Sequence, residues 1–237
     1  MKVVALGDST SCGEGVGLRL APALTWPARL AMALPDAQLQ VLAAPGARVR
    51  DVLSDQAPQV AVLQPDLVTL LIGLNDVWRA GFTAGAFEAD LQAVLALLRP
   101  TGAYVLLGRL PEPGRHLPLP PTLRRTVLAR AAAVDAAVGR ATGVAVLDVS
   151  AVPGLRLRRA WEVDRLHPNA AGHALLAEAA ARVLQRDGLP AGRVQTSALP
   201  PAPGRAHEAL WLLRDGLPWL VRHLPQVLGP AMAGSLR

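Results

Sequence analysis

Ser9, Asp164 and His167 are three residue types that together can cleave an ester. A hydroxyl is a weak nucleophile until a base takes its proton, and a histidine base needs a carboxylate to fix its tautomer and stabilise its positive charge. Asp164 and His167 lie three residues apart, so one turn can set the carboxylate against Nδ1 and leave Nε2 reaching outward to the serine. The oxyanion produced by such an attack needs preorganised donors. The backbone N–H groups of Ser9 and Gly46 and the side-chain amide of Asn75 are the candidates, and glycine at 46 lets the backbone come close to a ligand. Trp78 and Trp161 lie near these residues in sequence and are candidates for lining an acyl pocket, with core packing as the competing role.

These side chains can meet only if the fold brings their loops to one place. Short apolar runs at 2–6, 39–43, 67–72, 103–107 and 144–148 lack alternation, as strands covered on both faces should. Helical patterns fall between them near 25–34, 48–63, 84–98 and 122–141. A last helix is expected from Asn169, a good N-cap, to about Arg186, with Gly188 and Pro190 as its stop. This alternation predicts a three-layer α/β/α sandwich around a five-stranded parallel, flavodoxin-like sheet. Ligands in such sheets bind beyond the carboxyl ends of the strands. Gly7-Asp8-Ser9, Ala44-Pro45-Gly46, Gly73 to Asp76, and Asp164 with His167 all fall just past strand ends, so the topology brings them to one edge.

Four ordered blocks, Gly7-Asp8-Ser9, Gly46, Gly73-Leu74-Asn75-Asp76 and Asp164-Arg165-Leu166-His167-Pro168, resemble those of the SGNH/GDSL hydrolases over roughly residues 3–187. Trp161 through His167 is similar to the W-x-x-D-R-L-H block of a bacterial branch that often carries a proline-linked, Trp-containing C-terminal tail. The second block departs from the family pattern, with Ala43-Ala44-Pro45 where Asn or Ser is common before the glycine. The resemblance implies the SGNH hydrolase fold and ester hydrolysis with neither metal nor cofactor. It also implies Ser9 as nucleophile, His167 as base, Asp164 as its orienter, and Gly46 and Asn75 as oxyanion donors. Short acyl or acetyl esters are the favoured substrates.

Other features narrow the alternatives. A metal-dependent phosphoesterase would use Asp8, Asn75, Asp164 and His167 as ligands, but strand 1 ends without Asp-x-His. A flavodoxin-like phosphate or nucleotide module would use the first loop, yet Gly13 to Gly17 matches neither G-x-G-x-x-G nor G-K-[ST]. No G-x-S-x-G elbow occurs, which excludes an ordinary α/β-hydrolase. Asp8 is expected to hold its loop through backbone hydrogen bonds, Asp76 to cap the segment after it, and His173 to be structural. His116, His207 and His223 are expected in solvent, and the single cysteine, Cys12, as a small buried residue.

The chain has 237 residues, with 24 Lys+Arg against 18 Asp+Glu. The basic residues form no continuous run with aromatic neighbours, so nucleic acid is not an expected partner. Residues 1–189 are expected to form the catalytic domain and 190–237 a proline-linked amphipathic tail. The tail's apolar stretch, 206–228, is expected to dock on the domain or pair two copies. No apolar run is long enough to span a bilayer, and Met1-Lys2 leads straight into the first strand, so a cytoplasmic location is expected.

Overall fold

The computed structural model describes residues 1–219, 221 and 222. Five parallel strands form one sheet: β1 (Lys2–Gly7), β4 (Gln38–Val41), β5 (Leu67–Leu71), β6 (Tyr104–Arg109) and β7 (Ala145–Asp148). Their order is β4-β1-β5-β6-β7, so the chain starts near the middle and reverses direction of growth after β4. That reversal creates a crevice at the carboxyl ends of β1 and β5. The hairpin β2 (Glu14–Gly15) and β3 (Leu18–Arg19) stands outside the sheet, after the short α1 (Ser9–Cys12).

Two apolar layers cover the sheet. On one face lie α3 (Val49–Asp51), α4 (Ala57–Leu63), α6 (Ala84–Leu98) and α7 (Pro121–Arg140), with Val52, Val60, Leu91, Leu95 and Val134 buried against Leu6 and Leu70. On the other lie α2 (Trp26–Met32) and α8 (Ala170–Arg186), which bury Trp26, Leu30, Leu176 and Leu184 against Val3, Leu67 and Leu106. The α5 helix (Leu74–Trp78) follows β5 directly. β4 is the exception to two-sided burial. It is the edge strand, and Gln38, Gln40 and Val41 are exposed.

The expected helix 48–63 is interrupted, because Val52–Gln56 takes a π-helical turn between α3 and α4. The widened turn carries one extra residue. Gln56 is buried in it, its Nε2 donating to Gly7 O at 2.9 Å and its Oε1 accepting from Gly7 N at 2.8 Å. Gly7 itself permits no side chain: at φ 131° a Cβ would lie 2.3 Å from Leu71 O. The end of β1 is thus pinned on both sides just before Asp8 and Ser9.

Residues beyond α8 return to the domain. Gly192 N donates to Ala33 O at 2.6 Å, and Val194 and Leu199 pack against the α2–α8 layer. The α9 helix (Arg205–Trp211) continues into a π turn (Leu212–Gly216). One face docks: Trp211 Nε1 donates to Val16 O at 2.9 Å, and Glu208 meets Arg158 and Arg165. The opposite face leaves Leu210, Leu213, Leu217 and Val221 exposed. The rest of the 206–228 stretch, with His223, lies outside the described residues.

Candidate active site

Ser9 is the first residue of α1, at the carboxyl end of β1. Its position follows from the cap before it. Asp8 sits in extended backbone and its Oδ1 accepts from Thr10 N at 2.9 Å, so Asp8 rather than Ser9 is the N-cap. The amides of Thr10, Ser11, Cys12 and Gly13 are all bonded within this turn. Ser9 is held at the lip of the crevice, 9% exposed.

The Asp164–His167 turn supplies the other half. Trp161 and Pro168 form an isolated antiparallel bridge, and Glu162 N donates to His167 O at 2.8 Å, closing a narrow loop. At its tip Asp164 Oδ1 accepts from Leu166 N at 2.9 Å and His167 N at 3.0 Å. Asp164 Oδ2 lies 2.5 Å from His167 Nδ1, and His167 Nε2 lies 2.8 Å from Ser9 Oγ. Serine, imidazole and carboxylate form one hydrogen-bonded line across 158 residues of chain. Arg165 inside this turn adopts φ 62°, a left-handed conformation costing a non-glycine residue about 1–2 kcal/mol. Bonds from Arg165 to Glu208 and, at 3.0 Å, to His116 O hold it there.

Asn75 lies on α5, and its Nδ2 donates to Ala47 O at 3.0 Å and to Asp8 Oδ2 at 3.3 Å. It therefore ties the β1 loop to the turn that carries Gly46. Gly46 takes φ 75°, and the space where its Cβ would stand is open. Asp76 does not cap its own segment. Its carboxylate accepts from Val49 N at 3.2 Å, so it serves the start of α3 instead.

Trp161 is buried, with Nε1 donating to Leu155 O at 2.8 Å, and it floors a cavity of about 250 Å³ beside the turn. Trp78 is partly buried against the α6–α7 layer, behind Gly114, and does not reach that cavity's wall. His116 is not in bulk solvent. Its ring lies 5.9 Å from that of Trp161, and its Nε2 is buried without a hydrogen-bond partner among the described residues. His207 is exposed, while His173 is buried, its Nδ1 accepting from Trp26 N at 3.1 Å. Burial pushes His173 down to about 3, so it is a neutral acceptor. Cys12 is only partly buried.

Two further residues complete the site. A Cβ at Gly15 would stand 2.9 Å from His167 Nδ1 and 3.0 Å from Asp164 Oδ2, so the β2–β3 hairpin lies directly over the dyad. Only a glycine lets backbone shield that pair from water at this distance. Gln56, described above, is the second. Neither residue carries a local sequence signal, although glycine at 15 permits the close backbone approach.

Electrostatics follow from this burial. Burial alone pushes the His167 imidazole down, but its bond to Asp164, with the charges of Asp164, Asp8 and Glu162, more than offsets it and leaves the group raised above 6.5. Burial likewise pushes Asp164 up, and His167 with the two backbone donors brings it net below the ordinary value, so it stays ionised. Burial raises Asp8 to about 6. Among the described residues no three His, Cys, Asp or Glu side chains are grouped to hold a metal ion.

Residues 5–175 match the GDSL-like Lipase/Acylhydrolase family, well over half of the chain. The chain belongs to this family. Solved structures of similar fold agree. TesA matches with a TM-score of 0.59 at 22% identity, covering 78% of this chain and 99% of that one. The esterase EstA from Pseudoalteromonas sp., inhibited by monoethylphosphonate, gives a TM-score of 0.61 at 16% identity, covering 78% and 97%. Axe2, an acetylxylan esterase from Geobacillus stearothermophilus, gives 0.58 at 25% identity, covering 82% and 97%. No curated protein sequence matches significantly. The fold is thus that of the SGNH esterases, and the chain is an acylhydrolase of the GDSL-like family. No helix among the described residues of this acylhydrolase is long and apolar enough to cross a membrane.

Proposed function

We propose that the chain hydrolyses carboxylic esters through an acyl-enzyme on Ser9, with His167 as general base and Asp164 as its orienter. The observation that carries this reading is the line Ser9 Oγ–His167 Nε2 at 2.8 Å and His167 Nδ1–Asp164 Oδ2 at 2.5 Å. The Asp164 carboxylate holds the proton on Nδ1, leaving the Nε2 lone pair facing the serine hydroxyl. His167 takes that proton as Ser9 Oγ bonds to the ester carbon. It returns the proton to the leaving alkoxide as the C–O bond breaks. Water then repeats the sequence on the acyl-enzyme and releases the acid. The N–H groups of Ser9 and Gly46 and the Nδ2 of Asn75 receive the oxyanion. Asn75 does so by exchanging its 3.3 Å bond to Asp8, the longer of its two. Short acyl and acetyl esters are the proposed substrates, with Trp161 against the substrate.

The direct test is incubation with an organophosphonate. One adduct per chain, located at Ser9 by peptide mapping, is expected, with hydrolysis of 4-nitrophenyl acetate lost in step. Labelling elsewhere, or none with activity retained, rules the mechanism out.

The pH dependence follows from the same line. The base works only as neutral imidazole, and the Asp164 bond favours the imidazolium. The kcat/KM profile should therefore rise with pH along an acid limb whose midpoint lies above 6.5, the ordinary histidine value. A midpoint below that value would mean that burial, not Asp164, governs His167.

A further inference from the structure

The 250 Å³ cavity floored by Trp161 does not belong to the line of reacting atoms. Its wall includes Leu74 and Leu166, which directly precede Asn75 and His167. A narrow cleft continues from it towards Asp8 and Thr10, the residues flanking Ser9, and shares Leu74, Trp161 and Leu166 with it. A substituent on an ester held at Ser9 can be directed towards this lined space. The volume lies just under the 300–1,000 Å³ or so typical of pockets for drug-sized ligands, which suits a short chain.

The charges around that space are unbalanced. Arg115, Arg156 and Arg165 line it against a single acid, Glu112. Arg165 is neutralised from behind by Glu208, and Arg115 pairs with Glu112 at the rim. Arg156 has no acidic partner among the described residues, and its bond from Nε to Ser150 O at 3.3 Å uses one donor of five. Beside the cavity, burial first, then the charges of Arg158, Arg115 and Arg165, hold the partly buried His116 imidazole below its usual value. An apolar floor with an unpaired guanidinium at the rim fits a short apolar linker ending in an anion.

Resting on the ester-hydrolase reading, we propose that this cavity binds a negatively charged substituent of the ester, with Arg156 as its partner. A carboxylate on either side of the scissile bond presents the same chemistry to Arg156, so both are tested. On the acyl side, mono-4-nitrophenyl adipate is compared with 4-nitrophenyl hexanoate. On the alcohol side, 4-acetoxybenzoate is compared with 4-acetoxybenzamide. In at least one pair the ratio of kcat/KM, anionic over neutral, should exceed one in the wild type and fall about tenfold in Arg156→Glu, since a hydrogen-bonded ion pair is lost and repulsion added. Arg99→Glu changes net charge equally at an exposed position far from the cavity and should leave the ratio where it was. The wild-type ratio should also decline with added salt.

A ratio that stays within twofold of wild type in Arg156→Glu, or that moves as much in Arg99→Glu, overturns the proposal. So does a wild type that favours neither anionic ester. Phosphonate labelling of Ser9 separates the two readings. A labelled enzyme with no anionic preference removes only the cavity assignment, whereas an unlabelled protein that cleaves no ester removes the mechanism as well.

Discussion

Ser9→Ala is expected to lower kcat for 4-nitrophenyl acetate by about four to six orders of magnitude and to abolish phosphonate labelling. The size follows from what the hydroxyl does. Without it no acyl-enzyme forms, and the remaining route is direct attack by water with His167 as base. Any residual rate over uncatalysed hydrolysis would come from the oxyanion donors and from binding, worth about 10³–10⁴-fold in enzymes of this logic. The loss should appear in kcat, because Ser9 Oγ contributes bonding in the transition state and little to ground-state binding. The change removes one oxygen from a residue already almost buried beside an intact Asp8 cap, so the fold should persist. An unchanged thermal midpoint with a collapsed kcat is the expected pair of readings. A variant that retains a tenth of wild-type kcat would place the nucleophile elsewhere.

What made Ser9 visible in the sequence was its place after a glycine that ends an apolar run. Gly7 and Gly73 take positive φ where a strand gives way to a loop, Gly46 does so within the loop after β4, and the chain's own punctuation marks those points. Asn169 was equally legible, since a helix start needs a side-chain acceptor, and it accepts from Ala171 N and Gly172 N. The parallel sheet was legible in the alternation of apolar runs with helical patterns, whereas its strand order comes from the structure.

The supports of the site were not legible, and the reason is distance along the chain. Gln56 serves Gly7 from 49 residues away, and Glu208 serves Arg165 from 43. Neither leaves a local pattern: one is a glutamine in a helix and the other a glutamate in an amphipathic tail. Asp76 illustrates the opposite error. Its sequence context suits a cap, but the backbone donor it satisfies belongs to Val49, which only the tertiary structure brings near. His116 departs from the expected solvent position for a related reason. The proline-rich loop around it folds inward over Trp161, and nothing in its composition signals that. The tail's charge also gains a meaning it lacked in sequence. Residues 190–237 carry five basic and two acidic residues, yet it is an acid among them, Glu208, that reaches the Asp164–His167 turn.

Asp164→Asn separates the two jobs that this carboxylate does. Its Oδ1 accepts from Leu166 N and His167 N, and an asparagine oxygen can keep both bonds and hence the turn. The other position faces His167 Nδ1, and there an amide presents N–H instead of a lone pair. Two N–H groups cannot face each other, so His167 must keep its proton on Nε2 and turn a donor towards Ser9. The histidine then cannot accept the serine proton, and kcat is expected to fall by about 10⁴-fold with KM little changed. A second consequence runs in the opposite sense to damage. The Asp164 bond and charge are the largest of the effects that raise the imidazole against burial, ahead of Asp8 and Glu162, so their loss lets burial weigh more. The acid limb of the residual activity should therefore move to lower pH than in the wild type, which a merely unfolded or loosened site would not produce. If Asp164→Asn keeps its rate within tenfold and its limb in place, Asp164 only shapes the turn, and orientation of His167 must come from the Gly15 hairpin above it.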